Sequence, residues 1–412
     1  MLWCTQGARI LGLFPFPARS HKAIFSPLLR ELATRGHDVV IYSPYPEIPP
    51  VANITDVVMA ELDYRDHKRK ESLYTLKDQG MMGKLVVLWK MGLHTCEKVL
   101  QDKEVQGILQ STEIHFDLIL IEAFFNECLL GFAHKFRAPT VHICSHGGMF
   151  WMGDYVGNPN PHAYVPDVFF DFSDKMTFQQ RVWNTLAALF ARAGRELWYL
   201  PQQNTIMKNY FKYEDLPSVW ELQTNTSAVM LNTHVAVNYP RPLMPNLLLV
   251  GGMHIKKPGK LPQDLQRYLD DAPGGVIYFS MGTNLQSSLM PESKVKAFLG
   301  AFSRLTEQKV LWKWESDSLP GQPNNVKLAK WLPQSDILAH PNIRLFVSHG
   351  GMMSTQEAVY RGVPLVGIPI FSDQLLNIRQ ASAAGYALHL DYENITEESV
   401  YWAIQQVLYV PK

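Results

Sequence analysis

Two apolar runs, ARILGLF at residues 8–14 and DVVIYS at 38–43, are separated by one helix-length segment, HKAIFSPLLRELATRGH, closed by Gly36. Neither run alternates polar with apolar residues, so each must be buried on both faces. A strand, helix, strand order with a connection of this length joins parallel neighbours. The pattern returns at FDLILIEAF (116–124) and APTVHICS (138–145), and again in GGVIYFSMGTN, VLWKWES, VKLAKWL, IRLFVSH and VPLVGIPIF. A chain written this way is confined to the α/β class with doubly wound parallel sheets.

At 412 residues the chain exceeds what one core usually organises. The break falls in NYPRPLMPNLLLVGGMH, where Pro240, Pro242 and Pro245 precede a glycine pair. The reading is two Rossmann-like halves, residues 8–240 and 253–412, joined by a linker at 241–252. Residues 63–110 read mainly as helix, and the charge run DHKRKE within them reads as a solvated face. Residues 174–210 are helical again, with Val182, Leu186 and Phe190 on one stripe. That stripe is expected to serve as core or pocket wall; a helix lying on a membrane surface is the lesser reading.

Lys+Arg and Asp+Glu balance at 38 each, so no global field recruits nucleic acid or an anionic surface. The four cysteines form no C-x-x-C pair, so neither a zinc site nor a disulfide framework is indicated. Three sequons begin at Asn53, Asn225 and Asn394 and permit glycosylation in a secretory lumen. The opening MLWCTQGA resembles the end of a signal peptide without its apolar run, and no stretch is long and apolar enough to span a membrane. No Gly-x-Gly-x-x-Gly occurs, which disfavours a nicotinamide oxidoreductase.

The densest chemistry lies in LFVSHGGMMSTQEAVYRGVPLVGIPIFSDQ, residues 345–374. His349, Gly350 and Gly351 occupy a strand-to-helix turn, where bare amides and the helix dipole make an anion site suited to a diphosphate. Ser354 and Thr355 add hydroxyls in the first turn, and Glu357 can accept from a ribose. Asp373 and Gln374 follow the next strand and face the same crevice, where an acid and an amide can take sugar hydroxyls. Upstream, Trp331 offers a flat face for stacking on a base and Gln334 an amide for its edge. The SHGGM at 145–149 lacks the downstream acid and Asp-Gln, and reads as the wall of a second pocket.

Residues 331–374 resemble the signature of the UDP-dependent glycosyltransferases, in the wording of their animal, endoplasmic-reticulum branch. FPARSH, FDLILIEAFFNE, NPHAYVP and YFSMGTN extend the likeness over nearly the whole chain. The resemblance implies a GT-B fold, a UDP-sugar donor, a small lipophilic acceptor, no metal and no other cofactor. It implies that Trp331 stacks on uracil, Gln334 and Glu357 hold the nucleoside, and His349, Gly351 and Ser354 meet the diphosphate with Ser280, Gly282 and Thr283 opposite. Asp373 and Gln374 would then hold the transferred sugar. No Asp-x-Asp pair argues for a bound metal.

His21 follows the first strand at a helix start, a setting that disfavours the imidazolium and suits a base. By position alone it is as readily a cap or packing residue; the resemblance identifies it as the catalytic base. The family's orienting carboxylate is commonly an aspartate, where this chain has Glu122, with Asp117 as the fallback. The reaction so implied is inverting transfer of a hexose, glucose before glucuronic acid, in the endoplasmic-reticulum lumen. The chain stops about a hundred residues short of the family's usual end and looks clipped at both termini. That leaves a non-catalytic UDP-sugar or hydrophobic-ligand binding protein as the rival, and homo-oligomerisation open.

Overall fold

The computed structural model describes residues 7–59, 62 and 80–410; the charge run DHKRKE lies outside them, and the rest of the 63–110 reading is helical at Met81–Gln101 and Lys103–Gln110. Thirteen strands among the described residues form two wholly parallel sheets. The first orders as β3-β2-β1-β4-β5-β6-β7, the strands being Arg9–Leu13 (β1), Asp38–Ser43 (β2), Ile54–Val58 (β3), Leu118–Glu122 (β4), Thr140–Cys144 (β5), Ala228–Leu231 (β6) and Leu247–Leu249 (β7). The second orders as β10-β9-β8-β11-β12-β13, with Val276–Ser280 (β8), Lys309–Lys313 (β9), Val326–Ala329 (β10), Ile343–Ser348 (β11), Leu365–Gly367 (β12) and Ala387–His389 (β13).

The unbroken apolar runs are explained by the two-residue period of a strand, which sends neighbours to opposite faces. Leu11, Leu13, Val40, Tyr42, Ile119 and Ile121 enter one core. Their neighbours Ile10, Val39, Ile41, Leu120 and Ile143 enter another on the far side. The second sheet divides likewise, Ile277, Phe279, Val310, Trp312 and Val347 against Val276, Tyr278, Leu311 and Phe346.

Strand order reverses between β1 and β4 in the first sheet and between β8 and β11 in the second. Helices turn away to opposite sides at such a point and leave a crevice beyond the carboxyl ends of the strands. The register aligns Leu13 with Ile121 and Ser280 with Ser348, so the loops after all four strands open at these crevices.

Four sequence readings are corrected. The segment 241–252, read as linker, contributes β7, which pairs with β6 in the first sheet. VPLVGIPIF yields only the three-residue β12, because prolines at 364 and 369 cannot donate to a ladder; Gln374 begins the helix Gln374–Ala383 rather than ending a strand. Cys96 and Cys128 form a disulfide across 32 positions, a pairing created by tertiary approach that no local spacing could reveal. Finally, Val182, Leu186 and Phe190 are exposed; the helix Phe178–Gly194 buries its opposite face, Asn184, Ala188 and Ala191.

Candidate active site

β1 ends at Leu13 and the chain re-enters helix at Arg19–Thr34, which places His21 in the first turn at the first crevice. Glu122 is the last residue of the neighbouring β4 and is fully buried. Glu122 Oε1 lies 2.5 Å from His21 Nδ1, while Glu122 Oε2 accepts the Phe16 backbone N–H at 3.1 Å. A carboxylate so placed keeps the proton on Nδ1 and leaves the Nε2 lone pair outward. That lone pair faces Ser145 Oγ at 3.2 Å. Phe16 and Phe124 close on the ring, with centroids 4.5 and 5.0 Å away. Asp117 is eliminated as partner: it lies at the other end of β4, accepting from Arg9 N at 2.7 Å, and this bond holds its carboxyl below the usual range.

Ser145 was missed as a contact of His21 in the sequence, where SHGGM read only as wall. It follows β5, the strand beside β4, so its position past a parallel strand end was the available signal. His146 is buried beside it, takes the Gly148 N–H on Nδ1, and is pushed down to about 3 by burial and then by His21, so it is neutral. Phe124 and Phe125, with Trp151, Met152, Tyr155, Asn126 and His142, line a partly open cavity of about 10 Å³, room for a single water. Trp151, Met152 and Tyr155 fall in the stretch expected to form an apolar wall.

The second crevice gathers several of the residues expected to bind the donor. Ser280 ends β8, and Gly282 and Thr283 follow in the loop; His349 follows β11. Gly282 has φ +87°, and a Cβ there would stand 2.7 Å from the His349 ring; a Cβ on Gly351 would stand 2.6 Å from the same ring. The two glycines therefore clasp His349 from both sides, and neither position admits a side chain without moving the imidazole. Burial, and next the charge of Lys313, hold His349 down at about 4, so it is a neutral donor. The helix Met352–Arg361 starts at Gly351, and its first in-register amide bond runs from Thr355 N to Gly351 O. The amides of Met352 to Ser354 thus precede the ladder and make the positive mouth expected of an anion site.

Lys313 is a second residue at these crevices that the sequence reading passed over. It is buried, and its Nζ donates to Gly282 O at 2.8 Å and to Glu315 Oε1 at 2.9 Å. A lysine inside the apolar run VLWKWE was the legible sign, since a charge is buried only where it has partners.

Gln334, Ser354 and Glu357 are joined: Gln334 Nε2 donates to Ser354 Oγ at 3.0 Å and to Glu357 Oε2 at 2.5 Å. Burial raises the Glu357 carboxyl, and the bond from Gln334 opposes that rise. Trp331, 68% exposed, stands at the rim as a stacking face would. Asp373 takes Asn377 Nδ2 at 2.8 Å and is raised by desolvation, while His21 across the cleft pulls it down. Gln374 Oε1 accepts from Ile370 N and Phe371 N, which leaves its amide group as the part to offer a ligand. Across the cleft, Asn284 Nδ2 donates to Ser20 Oγ at 3.4 Å and Gln356 Nε2 to Asn232 O at 3.2 Å.

The comparisons bear on the family and the fold. The model of the family described as "UDP-glucoronosyl and UDP-glucosyl transferase" matches residues 14–412. The UDP-glycosyltransferase UGT5 of Dactylopius coccus is 39% identical over 98% of this chain and 77% of its own length. The 2-hydroxyacylsphingosine 1-beta-galactosyltransferase of Rattus norvegicus is 32% identical over 100% of this chain and 76% of its own length. Among solved structures, Phytolacca americana UGT2, complexed with UDP-2fluoro-glucose and pterostilbene, superposes with TM-score 0.62 at 14% identity, covering 98% of this chain and 90% of that one. The chain therefore belongs to the UDP-glucuronosyl and UDP-glucosyl transferase family: it is a UDP-glycosyltransferase of GT-B fold that moves a hexose from a UDP-sugar.

Proposed function

We propose that the chain transfers glucose, with inversion and without a metal, to the hydroxyl of a small lipophilic acceptor, using His21 as base and Glu122 as its orienting carboxylate. The observation that carries this reading is the pair at 2.5 Å, whose outward nitrogen already holds a hydroxyl, that of Ser145. An acceptor oxygen in that place would lose its proton to Nε2 as it attacks the anomeric carbon, and the imidazolium formed would lie against Glu122. Charge gathering on the departing diphosphate would meet the amides of Met352 to Ser354 and the neutral His349. Those groups supply positive field from the protein itself, which supports metal-independent chemistry.

Glucose is supported by the commitment of Lys313 to Gly282 and Glu315, which leaves it poorly placed to meet a sugar carboxylate. A UDP-glucosyltransferase of Dactylopius coccus at 35% identity and the solved complex with UDP-2fluoro-glucose and pterostilbene point the same way. The phenyl rings of Phe16 and Phe124 against His21 favour a lipophilic acceptor. A secretory lumen is supported by the Cys96–Cys128 disulfide and by the exposure of Asn53, Asn225 and Asn394. The non-catalytic rival has no observation in its favour, since a binding protein needs no buried carboxylate behind an imidazole. The test is product analysis with UDP-glucose, UDP-galactose and UDP-glucuronate, a phenolic acceptor and a chelator. Chelator-resistant β-glucoside is expected; glucuronide as the main product, or loss of turnover with chelator, would overturn the assignment.

A further inference from the structure

The helix Gln374–Ala383 opens with the two residues proposed to hold the sugar, Asp373 as its N-cap and Gln374 as its first residue. One side of it is fixed to the second lobe, the half built on strands β8 to β13. Ala381 enters a core of that lobe, and Asn377 Nδ2 donates to Gly350 O at 3.0 Å. Ile378 sits so close over Gly350 and Gly367 that a Cβ on either glycine would strike it. Gly350 lies in the turn after β11, with φ +80°. The sugar-holding pair is thereby tied to the turn that leads into the proposed anion site.

Leu376 points the other way. Residues two apart on a helix diverge by about 200°, so a side chain opposite Ile378 turns its back on the second lobe. Arg379, next along that outer side, is exposed. Leu376 is nonetheless buried, at 8% exposure, and it belongs to the hydrophobic core of the first lobe, whose other buried members lie between Leu11 and Leu247. A side chain set in a close-packed core has little slack, so Leu376 fixes where the start of its helix stands relative to the lobe that carries His21. The Asp373 carboxyl, raised first by desolvation, is also pulled down by His21, which puts the two within electrostatic reach. Attack by a hydroxyl depends on that spacing, since a misplacement of about 1 Å can cost about 10²-fold in rate.

We propose that Leu376 is a positioning residue for transfer, a second-lobe anchor set in the first-lobe core that holds the sugar carried by Asp373 and Gln374 within reach of His21. The inference rests on the roles proposed above for those three residues. None of the residues proposed for the nucleotide is held by Leu376, so its loss should spare UDP binding and strike turnover. The test compares wild type with Leu376→Ala, Leu376→Met and His21→Ala, reading UDP release from UDP-glucose with a phenolic acceptor, UDP affinity by calorimetry and the thermal melt. Leu376→Ala should lower kcat roughly 10–100-fold, with UDP affinity unchanged and a cooperative melt above the assay temperature. Leu376→Met, which keeps the volume, should recover most of the lost turnover. If Leu376→Ala does not fold, Leu376→Val, shorter by one methylene, takes its place under the same criteria. Wild-type kcat in Leu376→Ala beside an inactive His21→Ala overturns this inference alone. So does UDP affinity that falls in step with kcat, the mark of a purely structural role. A fully active His21→Ala overturns both this inference and the proposed function.

Discussion

The substitution Glu122→Gln should disable the base while leaving the fold intact. Glu122 serves two partners with two oxygens: Phe16 N–H binds Oε2 at 3.1 Å and His21 Nδ1 meets Oε1 at 2.5 Å. An amide has one acceptor, and the backbone N–H of Phe16 can only donate, so the carbonyl of the substituted side chain must turn toward it. The NH2 group then faces Nδ1 and forces the proton to Nε2, where an acceptor hydroxyl would meet a donor. The Ser145 hydroxyl, 3.2 Å away, would lose its acceptor as well. Losing a charge-assisted bond costs about 1.5–3 kcal/mol and restoring the useful tautomer about 1 more, so kcat should fall roughly 10²–10³-fold. The comparable swap in serine proteases costs about 10⁴. Turnover is followed by UDP release and UDP binding by calorimetry; unchanged UDP affinity with collapsed kcat is expected. Retention of more than about a tenth of wild-type kcat would refute the tautomer argument.

His21→Ala should abolish transfer with UDP affinity near wild type, whereas His349→Ala should weaken UDP binding; calorimetry and turnover on both variants separate the roles. Trp331→Ala, at a 68% exposed rim position, should weaken UDP binding by about 1–3 kcal/mol without moving the thermal melt. Burial raises Asp167 from 3.8 to about 6, so native protein holds its proton more tightly than unfolded chain. That contribution is complete below about pH 4 and is lost as pH climbs through about 6. Asp167→Asn keeps the acceptor for Phe169 N–H and should gain up to about 3 kcal/mol at about pH 7.5 but little at about pH 4, read from melts across that range. Replacing Cys96 and Cys128 together by alanine reopens a 32-residue loop and should cost about 3–4 kcal/mol in chemical denaturation.

The strands that pack on both faces were legible because burial leaves no choice of residue: β1, β2, β4, β5, β8 and β11 all stand out as apolar runs. Peripheral β3, β7 and β13 were not, since three to five residues with one half-exposed side, as in Ile54–Val58, leave no pattern to read. The residues proposed for the donor site could be named from the sequence because Gln334, His349, Ser354 and Glu357 follow one another closely in chain order, and the structure joins Gln334 to Ser354 and Glu357. Ser145 and Lys313 escaped for the opposite reason: each acts on a partner far off in the chain, His21 or the Gly282 loop. The exposed stripe at 182–190 was misread because a helical period reports a face and says nothing of what meets it; Asn184 on the other side was the overlooked clue.

Gln356 binds the first half of the molecule twice, donating to Asn232 O and accepting from Gly252 N. It rides on the same ten-residue helix whose opening amides and Glu357 we propose for the nucleotide. A swing of one lobe against the other that kept both bonds would have to pivot at this amide, one residue from Glu357, so the gap between lobes would widen least beside that helix.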